Sequence, residues 1–266
     1  MSWHALLVEL TDLADEIAMH YFKAIHTRSE TVRIEMKSDA SPVTQADQEI
    51  EQKIRAIVAQ RYPEMVIFGE EFGMGQADAP LKLIIDPIDG TKNFIAGIPF
   101  FGSLMAIEEK GVLTAAIVSM PRYKERWWAQ KGQGSFNSFD PGTRLQVSKT
   151  SELSKATAFH SSFAGEKAHK TPASLLPLLS QTYRQRGYGD FFAHMLVASG
   201  AGDFAVDYNL GIWDIAPLKL IVEEAGGTVT DIAGEDRIDT GSIVSSNRIL
   251  HDQVIRALRI AGSDLP

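Results

Sequence analysis

Leu83-Ile84-Ile85-Asp86-Pro87-Ile88-Asp89-Gly90-Thr91-Lys92-Asn93-Phe94 begins as a short apolar run of the kind that forms a buried strand. Two carboxylates, Asp86 and Asp89, then flank Pro87-Ile88, and Gly90-Thr91 follow. Carboxylates at the mouth of a buried strand are costly unless positive charge sits beside them. A divalent cation meets that need, and oxygen-only donors suit Mg²⁺ rather than zinc. Gly90-Thr91 predict a helix start, where free backbone N–H groups face an anion. Metal ligands beside an anion cradle point to phosphate chemistry.

Working outward, the 266 residues suffice for one large domain or two fused halves. Hydrophobic residues make up 44% and charged residues 23%, ordinary proportions for a globular protein. A formal net charge of −8 argues against binding nucleic acid or anionic membrane. The absence of cysteine excludes disulfides, thiolate metal sites and a cysteine nucleophile. Glu9, Asp12, Asp15 and Glu16 interrupt the N-terminus, so no secretory leader is expected. No run approaches the ~18 apolar residues of a membrane span, and a cytoplasmic location is the expectation.

Leu6, Leu10, Leu13, Ala14, Ile17 and Tyr21 fall on one face at helical spacing and predict an opening helix. Residues 27–43 are polar and read as a loop or hairpin, with Lys37 a solvated loop lysine. Thr44 with Asp47 three residues on forms a capping box for a helix that runs to Tyr62-Pro63. Val66-Ile67-Phe68 and residues 82–85 read as strands. Residues 104–107, 113–118 and 125–129 read as an antiparallel meander. Beyond a weak boundary near Thr150, strand and helix alternate. Strands are expected at 156–160, 203–206 and 243–245, and helices at 172–184, 191–199, 215–225 and 248–261. The expected fold class is therefore α/β, with helices and sheets stacked in layers. The N-terminal half, 1–150, would carry most of the acidic site, and the C-terminal half, 151–266, the rest. The site would lie where the halves meet in one compact unit.

Each candidate also has a plainer reading. Asp86-Pro87 and Asp89-Gly90 are common turn formers, but their clustering behind an apolar strand favours a metal. The bend at Pro87 could turn the Ile88 carbonyl inward as a further ligand. Glu70 ends a neighbouring strand as Asp86 ends its own, so the two could share an ion; Glu70-Glu71 also fits an exposed acidic loop. Asp214 stands at the N-terminal edge of a helix with Pro217 in its first turn, where it could cap the helix, bind metal, or both. Asp47 and Thr91 could form a relay in which the carboxylate holds the hydroxyl. None of the seven histidines, His169 included, has metal-ligand spacing. No GxSxG elbow, P-loop or GxGxxG fingerprint occurs.

The chain resembles the inositol monophosphatase-like, Mg²⁺-dependent phosphatases. The matching motifs are Ser41-Pro42-Val43-Thr44-Gln45-Ala46-Asp47, Gly69-Glu70-Glu71, Asp86 to Phe94 and Trp213-Asp214-Ile215-Ala216, in family order. The resemblance implies a layered α-β-α-β-α sandwich. It implies that Glu70, Asp86 and the Ile88 carbonyl hold a first Mg²⁺ and that Asp86, Asp89 and Asp214 hold a second, with a third, looser ion near Glu70. It further implies that Gly90 and Thr91 bind phosphate and that Asp47 pairs with Thr91. Four carboxylates carry about −4 and a phosphate monoester about −2, so about +4 to +6 from the ions is needed to admit the substrate. A metal-activated water oriented by Glu70 and Thr91 would attack phosphorus in line, with no phosphoenzyme. A homodimer is implied by resemblance alone.

The choice of ester is read from the second half. Gly189-Asp190 before Phe191 resembles the histidinol-phosphate phosphatases of this family, in which an acid suits a substrate bearing an amine and an imidazole. Asp207, seven residues before Asp214, matches the family's acidic substrate contact. Gly211-Ile212-Trp213 lacks the histidine that inositol phosphatases often carry before Trp-Asp. Histidinol phosphate is therefore the expected substrate of this histidine-biosynthetic reaction. Inositol-1-phosphate or a broad set of sugar phosphates comes second, and a non-enzymatic role as a partner of the transcription machinery stays open.

Overall fold

Side-chain alternation organises the larger sheet. Along most of β5 (Leu81–Asp89), β6 (Gly102–Glu109) and β7 (Val112–Met120), residues two apart share a face. Leu83, Ile85, Met105, Ile107, Ala115 and Ile117 pack into one core with α1 (Trp3–Thr27) and α2 (Gln45–Arg61). Ile84, Leu104, Ala106, Ala116 and Val118 pack into a second core on the opposite face. A sheet covered on both faces has no polar side to show, which is why these strands read as nearly continuous apolar runs. This computed structural model describes residues 2–27, 34–36, 42–76, 78–163 and 173–260. Lys37, Ser41 and His169 lie outside the described residues.

A short antiparallel pair, β1 (Ile34–Met36) and β2 (Pro42–Thr44), precedes α2. Thr44 caps α2 with the reciprocal Asp47 contact expected. The large sheet has the order β4-β3-β5-β6-β7-β8-β9, with β3 (Val66–Gly69), β4 (Gly73–Met74), β8 (Glu125–Gln130) and β9 (Gly134–Asn137) completing it. Among the described residues of this sheet, β3 and β5 pair in parallel and the other pairs are antiparallel. The short helix α3 (Thr91–Ile95) follows β5.

The smaller sheet uses β10 (Thr157–His160), β11 (Arg184–Arg186), β12 (Phe204–Tyr208), β13 (Thr228–Thr230) and β14 (Ser242–Ser246), in the order β11-β10-β12-β14-β13. Helices α5 (Asp190–Ala198) and α6 (Ile212–Glu224) fill the second core between the two sheets. Helices α4 (Leu175–Ser180) and α7 (His251–Ile260) cover the outer face of the smaller sheet. The layers are thus α1/α2, large sheet, α5/α6, small sheet and α4/α7, the α-β-α-β-α sandwich the motifs implied. Among the described residues no helix is long and apolar enough to cross a membrane.

Several element boundaries differ from expectation. The helix expected over 172–184 shrinks to Leu175–Ser180, because Thr182 Oγ1 and Gln185 Nε2 bind the Leu179 carbonyl and turn the chain into β11. β11 then pairs in parallel with β10, an edge contact no local pattern announces. Helix α6 starts at Ile212, so Pro217 stands inside the helix rather than in its first turn. The strand of the opening stretch runs on through Asp89 instead of stopping at Ile85.

Candidate active site

The extension of β5 brings Asp86 and Asp89 together. Residues three apart on a regular strand face opposite ways. Here Asp86 pairs with Leu104 and Asp89 with Gly102, so three steps on β5 match two on β6. This bulge shifts the alternation by one residue. Ile88 moves to the α1/α2 core beside Ile85, and both carboxylates face the layer that holds α6. Ser103 Oγ donates to the Pro87 carbonyl at 2.6 Å, and the Ile88 N–H donates to Asp86 Oδ1 at 3.0 Å. These two bonds fix the bulge from both sides.

Asp214 arrives from across the interlayer space as the third residue of α6. Its Oδ2 accepts from the Gly211 N–H at 2.7 Å, satisfying a backbone group at the helix start. Oxygen atoms of Asp86, Asp89 and Asp214 lie within 4.8 Å of one another. Glu70 follows β3, which runs parallel to β5, and its N–H donates to the Ile85 carbonyl at 3.2 Å. That register puts the Glu70 side chain into a hydrogen bond with Asp86. Asp86 is only 1% exposed. Burial, then the neighbouring Glu70, Asp214 and Asp89, hold its carboxyl well above the usual carboxylate range. Acids crowded in this way, with oxygen donors from three segments of the chain, fit a hard divalent cation such as Mg²⁺.

Gly90 adopts φ +81°, the left-handed region that favours glycine, and a Cβ there would lie 3.0 Å from the Phe100 carbonyl. Thr91 opens α3, and its Oγ1 donates to the Ile88 carbonyl at 3.0 Å. The anticipated Asp47–Thr91 hydrogen bond is therefore not formed. Asp47 Oδ2 instead accepts from the N–H and the hydroxyl of Thr44, at 2.8 and 2.5 Å. The capping contacts use this one oxygen of the carboxylate. Asp47 Oδ1 is buried with no hydrogen-bond partner. Burial pushes the Asp47 carboxyl up to about 7, against the pull of the Thr44 bonds and with a further push from Glu70.

The substrate-side candidates come from the second half. Asp190 stands at φ +49°, and its Oδ2 accepts from Asn93 Nδ2 at 3.2 Å; a Cβ on Gly90 would lie 3.5 Å from the same oxygen. It is the first residue of α5, and the N-cap position is Gly189. The next N–H, that of Phe191, donates to Asp89 Oδ2 at 2.7 Å. Asp207 is 2% exposed, and its Oδ1 accepts from Ser161 Oγ at 2.6 Å and from the Tyr208 N–H at 2.7 Å. The buried His194 binds Ser245 Oγ through Nδ1, and burial lowers its ring to about 4.

Sequence reasoning missed three contributors. The Phe191 N–H reaches Asp89 and the Asn93 side-chain amide reaches Asp190; the first is a backbone donor, which leaves no residue-type signal, and the second is a contact between residues far apart in the chain. Glu51 is fully buried and accepts from the Glu71 and Phe72 N–H groups at 2.9 and 3.2 Å. Its signal was present: an acid beside Ile50 and Ile54 on the apolar stripe of α2.

Comparison with known proteins identifies the family. The profile of the Inositol monophosphatase family matches residues 2–263. Histidinol-phosphatase of Mycobacterium tuberculosis is 39% identical over 95% of this chain and 96% of its own. Inositol-1-monophosphatase of Caulobacter vibrioides is 33% identical over 86% of this chain and 92% of its own. The crystal structure of the extragenic suppressor protein suhB from Bartonella henselae superposes with a TM-score of 0.86 at 27% identity, over 96% of this chain and 98% of that one. The chain belongs to the inositol monophosphatase family, a family of metal-dependent phosphatases.

Proposed function

We propose that the protein is a Mg²⁺-dependent histidinol-phosphatase that releases phosphate and L-histidinol from L-histidinol phosphate. The observation that carries the phosphatase reading is the convergence of Asp86, Asp89 and Asp214 within 4.8 Å beside the turn at Gly90. In this reading Glu70, Asp86 and the Ile88 carbonyl hold one cation, and Asp86, Asp89 and Asp214 a second, in a site of two to three ions. When bound, the ions neutralise the phosphate and polarise the attacking water.

The chain's own groups do the rest. Gly90 and Thr91 receive the phosphate through backbone N–H groups and the Thr91 hydroxyl. Glu70 and Thr91 orient the water for in-line attack. Asp47 Oδ1, which has no partner, is available to the Thr91 hydroxyl once that hydroxyl leaves the Ile88 carbonyl; α3 packs against β2, next to Asp47. Asp190 receives the substrate amine, and Asp207 adds a second negative group.

Support for histidinol phosphate comes from Asp190, whose carboxylate lies against Gly90 and Asn93, and from the 39% identical relative of that name. Inositol-1-phosphate is the second reading, favoured by the 33% identical relative. Phosphate release from histidinol phosphate, inositol-1-phosphate, fructose-1,6-bisphosphate and adenosine 3′,5′-bisphosphate, with and without Mg²⁺, tests both. A preference for inositol-1-phosphate overturns the substrate, and no Mg²⁺-dependent release from any of the four overturns the reaction.

A further inference from the structure

Glu51 lies in the middle of α2 and is 0% exposed, an unusual place for an acid unless it is bonded on several sides. Its Oε2 accepts from the Glu71 N–H at 2.9 Å, and its Oε1 from the Phe72 N–H at 3.2 Å and from Arg55 Nε at 2.9 Å. Arg55 Nη2 also donates to the Gly73 carbonyl at 2.9 Å. A Cβ built on Gly69 would lie 2.0 Å from Glu51 Oε1, so the carboxylate rests directly on the Gly69 backbone. The pair Glu51–Arg55 thus grips the chain at residues 69, 71, 72 and 73. Residue 70 is held from the other side, by its N–H bond to Ile85 on β5. The Glu70 carboxyl is left facing Asp86, and it acts electrostatically on Asp47 as well.

We propose that Glu51 is a positioning residue whose buried carboxylate sets the place of Glu70 in the metal site, with Arg55 completing the clamp. The inference rests on the metal-site reading given under the proposed function. A loop of consecutive N–H groups turned inward has few ways to be satisfied away from water. A carboxylate with two oxygens takes two of them at once and fixes the loop geometry that a cation would then find ready. Partners that orient a ligand in this way influence metal affinity by about 10- to 100-fold.

Mn²⁺ binding, read from the electron paramagnetic resonance signal of the free ion, tests this on the full chain, with half-saturating Mg²⁺ in para-nitrophenyl phosphate hydrolysis as a second readout. Glu51→Gln keeps the shape but turns one acceptor into a donor aimed at an N–H. It should weaken Mn²⁺ binding at least about 10-fold and raise half-saturating Mg²⁺ in step. Gly69→Ala, which pushes the carboxylate aside without removing it, should do the same. If Glu51→Gln does not fold, Gly69→Ala and Arg55→Gln decide by the same readouts. Wild-type Mn²⁺ affinity in the folded variants, alongside weakened binding in Glu70→Gln, overturns the positioning role and leaves the metal site standing. Wild-type Mn²⁺ binding in Glu70→Gln itself overturns the metal reading of Glu70, and the inference with it.

Discussion

Asp47→Asn tests the energetics of the site directly. Burial raises the Asp47 carboxyl from its ordinary 3.8 to about 7 in the folded protein. Between those values the folded state holds a proton that the unfolded state has lost, so stability falls as pH rises. The slope is about 1.4 kcal/mol per pH unit. Asp47 therefore contributes its full stability below pH 3.8 and loses about 4 kcal/mol by pH 7, after which the curve is flat. Asparagine does not titrate. The stability difference between wild type and Asp47→Asn should thus shift in the variant's favour by about 3 kcal/mol from pH 5 to pH 8. Urea unfolding of the chelator-treated proteins at half-unit pH steps measures it, and subtraction cancels carboxylates common to both. A wild-type-minus-variant difference constant to within about 0.5 kcal/mol over that range would refute the reasoning. Saturating Mg²⁺ should flatten the wild-type slope, because nearby cations favour the ionised carboxylate.

Asp89→Asn or Asp214→Asn should lower Mg²⁺-dependent phosphate release on the order of 100-fold or more with the circular dichroism spectrum unchanged; full activity in either sinks the metal assignment. Asp190→Ala should raise KM for histidinol phosphate about 10- to 100-fold, the worth of a charge-assisted hydrogen bond. Inositol-1-phosphate should be nearly unaffected, and equal effects on both esters would remove the reason for preferring histidinol phosphate. Gly102→Ala places a Cβ 1.9 Å from the Ser119 carbonyl and 3.1 Å from the Phe191 ring, at the residue that pairs with Asp89. It should cost about 1–3 kcal/mol in unfolding experiments and a larger share of activity, and an unchanged midpoint would contradict the close packing there.

Much of the candidate site was legible because its residues are close in sequence or sit at element ends. Thr44 and Asp47 announce the start of α2, and Gly90-Thr91 announce α3. Glu70 and Asp86 stand beyond two short apolar runs, and parallel pairing of β3 with β5 makes them neighbours. The expected Asp47–Thr91 bond is not made because the Thr91 hydroxyl donates to the nearby Ile88 carbonyl, which leaves Asp47 Oδ1 without a partner. The helix expected over 172–184 is shorter, Leu175–Ser180, because the chain turns after it and Arg184 begins β11, whose pairing depends on β10, about 27 residues upstream.

Local pattern by itself determined that 83–94 carries two acids at the end of an apolar strand and a glycine-led helix start, and with it the pointer to phosphate chemistry. Side-chain period and capping chemistry act over a few residues, so they survive without the rest of the chain. Tertiary structure alone decided that Asp86 and Asp89 point the same way, because the bulge exists only against the register of β6. It alone brought Asp214 within 4.8 Å of them, set the Phe191 N–H on Asp89, and closed the buried carboxylate of Glu51 on the loop of Glu70. Each of these is a contact between layers, and layers meet only when the whole core packs.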